Sequence, residues 1–436
     1  MQEFQPRRAR SAARIIAPLL AAVLAAGTVS ACGQDSGSGA SSGPVTLRFS
    51  WWGSDVRAGL TTKAIKEFEA KHKNITVQTD YAAYPAYWQK MATETAGGNA
   101  PDVIQMDYRY VTEYGKRHVL ADLGKQSKVL PLGDLEPAIA KSGTVDGKVL
   151  SVPFGQNTSS IAVDTTALGK LSIKPYTGGG SWADFAAWAK SVHDKSGGKV
   201  YGVSDMGYAE DIFELWLRQS GKSLYDDSGK IAFTKDDIVT FWTLWQGMVK
   251  SGAATPAAIS NQYDGTAAKS ALVQGKSAAE FIFDNTLGAT QKATKNTLAL
   301  AAFPTDGSNS GQYYKPTLLL SATAGSKHPA EAAELISFLI NDEGAGKILG
   351  VDRGLPPNKN VAGAVTASLT GPDQVVVNYE KAVASSLAKP PAAPPKGDGQ
   401  VKTAFQTVYQ GVTSGKTSIA DGAATLFTQI QQAIGA

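Results

Sequence analysis

The chain has 436 residues, with 42 lysine and arginine side chains against 38 aspartate and glutamate side chains and a net charge of +4. Four arginines and one glutamate lie in the first 31 residues, so the remainder carries 38 basic and 37 acidic side chains, a net charge of +1. No basic stripe remains in this part of the sequence to suggest binding of nucleic acid. Cys32 is the only cysteine, so a disulfide within one chain is excluded and stability has to come from apolar burial.

The first 31 residues have the features of a secretory signal peptide. Four arginines between positions 7 and 14 precede an apolar run from Ile15 to Ala26, which small residues follow up to Ala31. The run is shorter than the roughly 20 residues of a membrane-spanning helix. We therefore expect residues 1–31 to be removed on export, and Arg7-Arg8 is compatible with either the general or the twin-arginine route.

Cys32 is the predicted site of a lipid anchor. Val29-Ser30-Ala31-Cys32 resembles the bacterial lipobox, which implies cleavage before Cys32 and a diacylglycerol on its sulfur. Two acyl chains are enough for stable attachment to a membrane. Residues 32–43 are rich in glycine and serine, which is typical of a flexible tether. A buried free cysteine is the alternative, and its position after a signal peptide disfavours it. The prediction is an exported protein attached to the outer face of the bacterial cell membrane.

Strands and helices alternate in the first part of the chain after the tether. Apolar alternation predicts a strand over 44–53, and helical spacing follows over 60–72. A strand over 75–81, a helix over 87–96 and a buried strand over 101–107 complete the pattern. Because this alternation is typical of a parallel sheet covered by helices, we predict an α/β fold.

The later segments mix strands and helices. The length of the chain predicts that they form a second lobe. About 400 mature residues exceed what one hydrophobic core fills. Ser181 is a predicted helix N-cap with Asp184 three residues later. Pro390 to Pro395 is a stiff connector before a helical segment that reaches Ile434. Strands are predicted over 149–154, 159–163, 278–283 and 297–303, and helices over 212–219, 235–250 and 329–339.

Signatures of enzymes are absent from the sequence. The four histidines are scattered, no pair has the spacing of metal ligands, and no nucleophile motif occurs. We expect a protein without catalytic activity, cofactor or metal. A secreted glycoside hydrolase stays open as an alternative, because a pair of catalytic carboxyl groups has no fixed spacing and Asp55 and Asp107 are available.

Aromatic and polar residues follow three predicted strands. Trp51-Trp52 ends the first strand, Asp107-Tyr108 follows the third, and Asp284-Asn285 follows the strand over 278–283. The carboxyl ends of strands are where open α/β sheets bind ligands. Indole faces beside carboxylate, amide and guanidinium groups suit a sugar, because they pack on its C–H faces and bond to its hydroxyls. At least one of the two tryptophans has to face the core, and Trp52 is the one expected to face the ligand.

The motifs together resemble the extracellular solute-binding proteins of family 1, the sugar-binding lipoproteins of ABC importers. The resemblance implies two α/β lobes joined by hinge strands, with the ligand bound between them and closure sensed by the permease. It also implies a carbohydrate as the ligand and ABC transporter permease subunits as partners of a monomer. The matching segments include 49–53, 98–107, 147–154, 224–230 and 353–356.

Carried onto this chain, the resemblance implies limits for the lobes and a set of ligand-binding residues. The first lobe is expected to comprise residues 44–154 and 286–345, and the second residues 155–285 and 346–436. Trp242 and Trp245 are expected in the core, whereas Trp216 is equally compatible with core and site. The predicted site residues are Trp52, Asp55, Arg57, Tyr84, Trp88, Asp107, Tyr108, Asn157, Tyr208, Trp216, Asp284, Asn285 and Arg353.

The predicted function is capture of a sugar, in particular an oligosaccharide, for an ABC importer. Another polar solute such as a glycerophosphodiester or a polyol is the alternative within binding proteins. A phosphate ligand would favour a basic cluster or helix-terminal amides, whereas the predicted site is aromatic and mixed in charge.

Overall fold

The computed structural model describes residues 43–263 and 265–435. The predicted signal peptide and Cys32 lie outside this part of the chain. Within it, no helix is both long enough and apolar enough to cross a bilayer. The residues from Gly43 onward form one compact unit.

Ten strands and fifteen helices are present among the described residues. The strands are β1 (Val45–Trp52), β2 (Ile75–Ala82), β3 (Val103–Met106), β4 (Thr144–Val145), β5 (Lys148–Val149), β6 (Val152–Asn157), β7 (Ser159–Asp164), β8 (Ala279–Phe283), β9 (Leu298–Ala301) and β10 (Lys315–Ala322). The helices are α1 (Asp55–Lys71), α2 (Tyr84–Ala96), α3 (Tyr108–Lys116), α4 (Thr165–Lys170), α5 (Trp182–Lys195), α6 (Glu210–Gln219), α7 (Lys235–Ser251), α8 (Ala257–Ser260), α9 (Leu287–Lys292), α10 (Pro329–Asn341), α11 (Glu343–Leu349), α12 (Lys359–Thr366), α13 (Gly371–Val383), α14 (Asp398–Thr413) and α15 (Ile419–Ile434).

Five strands form the first sheet, in the order β2-β1-β3-β10-β6. β1 pairs in parallel with β2 and with β3, as the alternation of strands and helices predicted. β10 is antiparallel to both β3 and β6, so a segment from much later in the chain joins this sheet. The carboxyl ends of β1, β3 and β6 consequently lie at the same edge, where open α/β sheets bind ligands.

The first sheet is covered by helices that bury apolar side chains against it. Leu47 and Phe49 of β1 and Phe68 of α1 are at most 1% exposed. α1 begins before the predicted Leu60, because Ser54 caps it: the Ser54 hydroxyl accepts a hydrogen bond from the Arg57 N–H at 3.3 Å. The sheet and the helices packed on this core are called the first lobe below.

Three antiparallel strands form the second sheet, in the order β8-β7-β9. α5, α6, α7, α14 and α15 contribute to the core beside it, which is called the second lobe below. Phe213, Trp242, Trp245 and Phe405 of this core are fully buried, which confirms the prediction for the two tryptophans. α15 approaches α7 closely at Gly422, where a Cβ atom would lie 3.1 Å from the Trp242 ring.

The two cores give the chain a two-lobed α/β fold, as predicted. β9 belongs to the second sheet, whereas the predicted limits assigned residues 286–345 to the first lobe. The reason is that β8 occupies only one edge of β7, and β9 supplies the hydrogen bonds of the other edge. The first sheet also continues to Asn157 in β6, beyond the predicted limit at residue 154. Leu349 of α11 belongs to the core of the first lobe, although residues 346–436 were assigned to the second. The remaining limits stay a prediction.

The N-cap of α5 offers a test of helix stability in the second lobe. The Ser181 hydroxyl accepts from the Asp184 N–H, and the Asp184 carboxylate accepts from the Ser181 N–H, so both halves of the capping box are present. We expect Ser181→Ala to lower the free energy of unfolding by about 1 kcal/mol, since one N–H loses its acceptor. Ser181→Thr keeps the acceptor and should preserve stability in the same urea titration. Equal stability of Ser181→Ala and the unsubstituted chain would contradict the role of the cap.

Candidate functional site

The chain crosses between the two sheets where β6 ends at Asn157 and β7 begins at Ser159. Thr158 lies between the strands, and both of its backbone groups bond to Asp284. The Thr158 N–H donates to Asp284 Oδ2 at 3.1 Å, and the Thr158 carbonyl accepts from the Asp284 N–H at 3.1 Å. Asn157 Nδ2 donates to Asn285 Oδ1 at 2.8 Å. Three predicted site residues, Asn157, Asp284 and Asn285, therefore lie together at the crossing.

An aromatic cluster lies at the edge of the first sheet near the carboxyl end of β1. The ring centroid of Trp52 is 5.4 Å from that of Tyr84 and 5.8 Å from that of Trp88. Trp52 also packs on Tyr87 at 5.2 Å, and Trp88 on Tyr110 at 4.3 Å. Trp52, which was expected to face the ligand, is only 8% exposed and belongs to the buried core of the first lobe, whereas Tyr84 is 38% exposed. Tyr84 is therefore the member that offers most of its ring to a ligand.

Asp107 holds Tyr84 at the end of β3. Its Oδ2 accepts from the Tyr84 hydroxyl at 2.9 Å, and its Oδ1 accepts from the Arg109 N–H at 2.9 Å as the N-cap of α3. The first bond fixes α2 to the strand end, and the second satisfies an otherwise unpaired helix amide. The structure thus brings four predicted site residues, Trp52, Tyr84, Trp88 and Asp107, into one region.

A cavity of about 470 Å³ lies in the second lobe beside the crossing, where Ser159 forms part of its wall. Its size is in the range of small-molecule sites. Four aromatic rings line it together with hydroxyl, amide, ammonium and carboxylate groups. The residues that carry these groups are Tyr208, Glu210, Asp211, Tyr263, Phe281, Phe283, Thr286, Lys402 and Gln406.

Tyr208 is the predicted site residue that lines this cavity. Burial raises the pKa of its phenol well above the ordinary value, and the neighbouring charge of Glu280 raises the pKa further. The hydroxyl consequently keeps its proton at any physiological pH. Because Tyr208 lines the cavity, its hydroxyl can donate a hydrogen bond to a ligand there.

Two predicted arginines have protein partners at the amino end of α1. Arg57 Nε donates to Asp352 Oδ2 at 2.7 Å, and Arg57 Nη2 to the Asp352 carbonyl at 3.0 Å. Arg353 is 3% exposed, bonds to the Thr61 hydroxyl and lies 5.0 Å from the Phe154 ring centroid. Burial, and then the charge of Arg57, lowers the pKa of Arg353 to about 9. These two side chains attach the segment around residue 353 to the first lobe.

Three other predicted residues lie in different surroundings. Asp55 accepts from the Tyr81 hydroxyl at 3.2 Å on the surface of the first lobe. Tyr108 is 5% exposed, and its hydroxyl donates to the Pro391 carbonyl at 2.9 Å. Trp216 is half-buried against the core of the second lobe. None of the three lines the 470 Å³ cavity.

The sequence reasoning missed Arg109, which joins the lobes in this region. Arg109 Nη2 donates to Glu210 Oε1 at 2.7 Å, over a separation of 101 residues. Glu210 also lines the cavity. The strand end that carries Asp107 and the cavity that contains Tyr208 are therefore neighbours. A single arginine after a strand has no pattern that identifies a distant partner, although its position two residues after Asp107 marked the right region.

The geometry can be compared with known proteins. A family model described as bacterial extracellular solute-binding protein matches residues 63–372, which is more than half of the chain. The chain belongs to this family. An extracellular solute-binding protein of family 1 from Alicyclobacillus acidocaldarius is 31% identical, with a TM-score of 0.71 and an alignment covering 91% of this chain and 100% of that one. The predicted family membership is confirmed.

Two further relatives of this solute-binding protein are more distant. A periplasmic oligogalacturonide-binding protein from Yersinia enterocolitica, solved with saturated digalacturonic acid, has a TM-score of 0.78 and 23% identity and covers 90% of this chain and 99% of that one. This likeness shows the fold. A probable ABC transporter-binding protein from Deinococcus radiodurans is 28% identical over 49% of this chain. The alignment spans 53% of that relative, about half of its length.

Two carboxyl groups are buried at the crossing of this solute-binding protein. Asp284 is fully buried, and Glu380 of α13 is 2% exposed. Burial raises the pKa of Asp284 to about 7. Burial, together with the charge of Asp284, also raises the pKa of Glu380. Asp284 Oδ1 and Glu380 Oε1 have no other partner among the described residues, so one proton held between the two carboxyl groups satisfies both.

This pair predicts a pH dependence of stability. A carboxyl group whose pKa is raised by folding stabilises the native state at low pH, and that contribution is lost as pH rises from about 4 to about 7. We expect Asp284→Asn to flatten the fall in the free energy of unfolding between pH 4 and pH 8, measured by urea titration. Asp194→Asn, on the exposed face of α5, should leave the fall unchanged. A fall as steep in Asp284→Asn as in the unsubstituted chain would contradict the shared proton.

Proposed function

We propose that this solute-binding protein is the lipid-anchored subunit of a carbohydrate ABC importer and captures an oligosaccharide between its lobes. The observation that carries the proposal is the cavity beside the crossing, in which aromatic rings occur together with hydroxyl, amide and charged groups. The aromatic cluster of the first lobe adjoins it through Arg109 and Glu210. A ligand that fills the cavity and reaches Tyr84 would contact both lobes.

A sugar matches the chemistry of these surfaces. Its C–H faces pack on aromatic rings such as those of Tyr84 and Phe283, while its hydroxyl groups need donors and acceptors around the ring. Tyr208 can donate, and the Gln406 amide can both donate and accept. We propose that Tyr84, Asp107 and Tyr208 contact the ligand directly. Trp52 and Trp88 act by supporting the Tyr84 ring from behind.

Two of the relatives support a carbohydrate as the proposed ligand and an ABC transporter as the proposed partner. The fold neighbour from Yersinia enterocolitica holds saturated digalacturonic acid, and the relative from Deinococcus radiodurans carries a name that refers to an ABC transporter. An exported binding protein has to release its solute to a membrane protein. The permease of an ABC transporter is such a protein. The proposed lipid on Cys32 would keep the protein close to that permease.

Binding and closure are linked in this proposal. A ligand that contacts both lobes only in the closed form shifts the population toward closure by the difference between its two affinities. Micromolar affinity corresponds to about −8 kcal/mol. The two faces described here, with a few stacked rings and several polar groups, are sufficient for a free energy of that size.

A thermal-shift screen of the full chain against mono- and oligosaccharides tests the ligand class. A ligand that binds only the folded state raises the melting temperature with its concentration. We expect oligosaccharides to do so and to be recovered intact by chromatography. A cleaved sugar would replace the transport proposal with a glycoside hydrolase. A shift with polyols or glycerophosphodiesters alone would overturn the choice of a sugar.

A substitution of Tyr208 tests whether this cavity is the sugar-binding site. Tyr208→Ala removes a ring and a donor from the cavity, so we expect the dissociation constant for the sugar to rise at least about tenfold, or about 1.4 kcal/mol. Tyr201→Ala is the control, because Tyr201 stacks on His193 in the same lobe and does not line the cavity. Isothermal titration of both variants measures the difference. Equal affinities would exclude Tyr208 from the site.

The lipid anchor has its own test. Cys32→Ser removes the sulfur that the lipid requires, so we expect the protein to leave the membrane fraction and appear in the soluble exported fraction. Ser36→Ala in the tether is the control and should stay with the membrane. Membrane retention of Cys32→Ser would contradict anchoring through Cys32.

A further inference from the structure

Two exposed tyrosines at the carboxyl edge of the first sheet are held in the same way. Tyr81 lies at the end of β2, and Tyr84 begins α2. The Tyr84 hydroxyl donates to Asp107 Oδ2 at 2.9 Å, and the Tyr81 hydroxyl donates to Asp55 Oδ1 at 3.2 Å. Asp107 is the N-cap of α3 and Asp55 the first residue of α1, so each phenol is fixed by a carboxylate at the start of a helix.

Each of these rings also packs on one member of the Trp51-Trp52 pair. The two indoles point to opposite faces of the sheet, because successive side chains of a strand alternate. Tyr84 meets Trp52 edge-on, with ring centroids 5.4 Å apart. Tyr81 stacks on Trp51, with centroids 5.9 Å apart and 13° between the ring planes. Trp51 is buried and supports one face of the Tyr81 ring, while 45% of Tyr81 stays exposed to solvent.

Only small residues separate the two tyrosines along the edge of the sheet. Ala82 and Ala83 lie between them in the chain, and the N–H of Gly53 donates to the Ala82 carbonyl at 3.0 Å. Three residues of chain span at most about 11 Å, which limits the distance between the Cα atoms of Tyr81 and Tyr84. A ligand that packs on Tyr84 can therefore continue across the edge of the sheet to Tyr81.

The need to cover Trp51 does not by itself explain how Tyr81 is held. An aliphatic side chain at this position would also bury the indole, and it would need no hydrogen bond. Instead, a ring with an open face is fixed by Asp55, and Val56, which is 65% exposed, adds apolar surface next to Asp55. A side chain that is already fixed loses little conformational freedom when a ligand binds to it. Tyr81 is therefore prepared for a contact with a ligand.

We propose that Tyr81 is a second sugar-contacting ring of the first lobe, on which an outer unit of an oligosaccharide packs. The inner units fill the cavity and reach Tyr84, and the chain of the sugar continues over Ala82 and Ala83. Asp55 acts through Tyr81 as a positioning residue. The inference rests on the proposed function and adds a preference for length: longer oligosaccharides gain a contact that a disaccharide bound in the cavity is too short to make.

The experiment measures how the affinity of the full chain changes with the length of the sugar. The probes are homologous series of gluco-, galacto-, manno-, xylo- and galacturono-oligosaccharides, from disaccharide to hexasaccharide. A thermal-shift screen selects the series that bind, and isothermal titration gives the dissociation constants. We expect the hexasaccharide of a series to bind at least about fivefold more tightly than its disaccharide, which is the size of one aromatic contact.

Substitutions of the two tyrosines should have different effects on this preference. Tyr81→Leu still covers Trp51 but has no flat ring, so the preference for the hexasaccharide should fall below about twofold. The dissociation constant of the disaccharide should change by less than about twofold in the same variant. Tyr84→Leu is the matched comparison, because it removes the other ring and should weaken binding at every length. Circular dichroism verifies that each variant is folded.

The role of Asp55 has a separate control. Asp55→Ala frees the Tyr81 hydroxyl and should reduce the preference for the hexasaccharide in part. Asp55→Asn should restore it, since the amide oxygen still accepts from that hydroxyl. A purely structural role of Asp55 in α1 would not depend on the length of the sugar.

The outcomes separate this inference from the proposed function. If folded Tyr81→Leu keeps the full preference for the hexasaccharide, the sugar contact of Tyr81 is overturned, a protein partner becomes the candidate for the exposed ring, and the proposed function stands. Equal affinities for disaccharide and hexasaccharide in the unsubstituted chain would overturn the inference in the same way. If no sugar of any series binds, the proposed function fails and this inference fails with it.

Discussion

The paired hydrogen bonds between Thr158 and Asp284 fix the point at which one sheet ends and the other begins. With both backbone groups of Thr158 satisfied, β6 and β7 can belong to different lobes although a single residue separates them. That short connection determines how the edge of the first sheet is placed relative to the second lobe. It places the carboxyl edge of the first sheet, with its aromatic cluster, opposite the cavity that begins at Ser159.

The contacts around this crossing fall into two groups with different physical behaviour. Aromatic and amide groups such as Tyr84 and Gln406 are neutral, and their interaction with a solute changes little with salt or pH. The contacts of Arg109 and Lys315 are between charges withdrawn from water, which are strong when paired and costly when one partner is missing. The first group is the one that we propose contacts the solute, and the second joins side chains of the two lobes.

Much of the fold was predictable because its signals are local. The alternation of strands and helices before residue 107, the capping box at Ser181 and the core positions of Trp242 and Trp245 all depend on neighbours a few residues away. The antiparallel insertion of β10 and the pairing of β9 with β7 were not predictable in this way. Both join segments separated by well over 100 residues.

The candidate site shows the same division between local and distant signals. Residues after strand ends, such as Asp107 and Asp284, were singled out because the topology places them at a common edge. The ion pairs in the same region could not be predicted, because nothing in the sequence pairs Arg57 with Asp352 or Arg109 with Glu210. A charged side chain gives no periodicity from which its partner can be inferred, so ion pairs between distant segments emerge only from the fold.

The composition of the second core bears on when the second lobe can fold. Its buried side chains run from Ile161 in β7 to Ile430 in α15, and α15 packs directly on α7 through Gly422. Until residues near 430 have been synthesised, Trp242 and Phe405 lack their final neighbours, and the second lobe has no complete core. Contacts of such high sequence separation are slow to form. Folding of the second lobe therefore has to wait until nearly the whole chain has been synthesised.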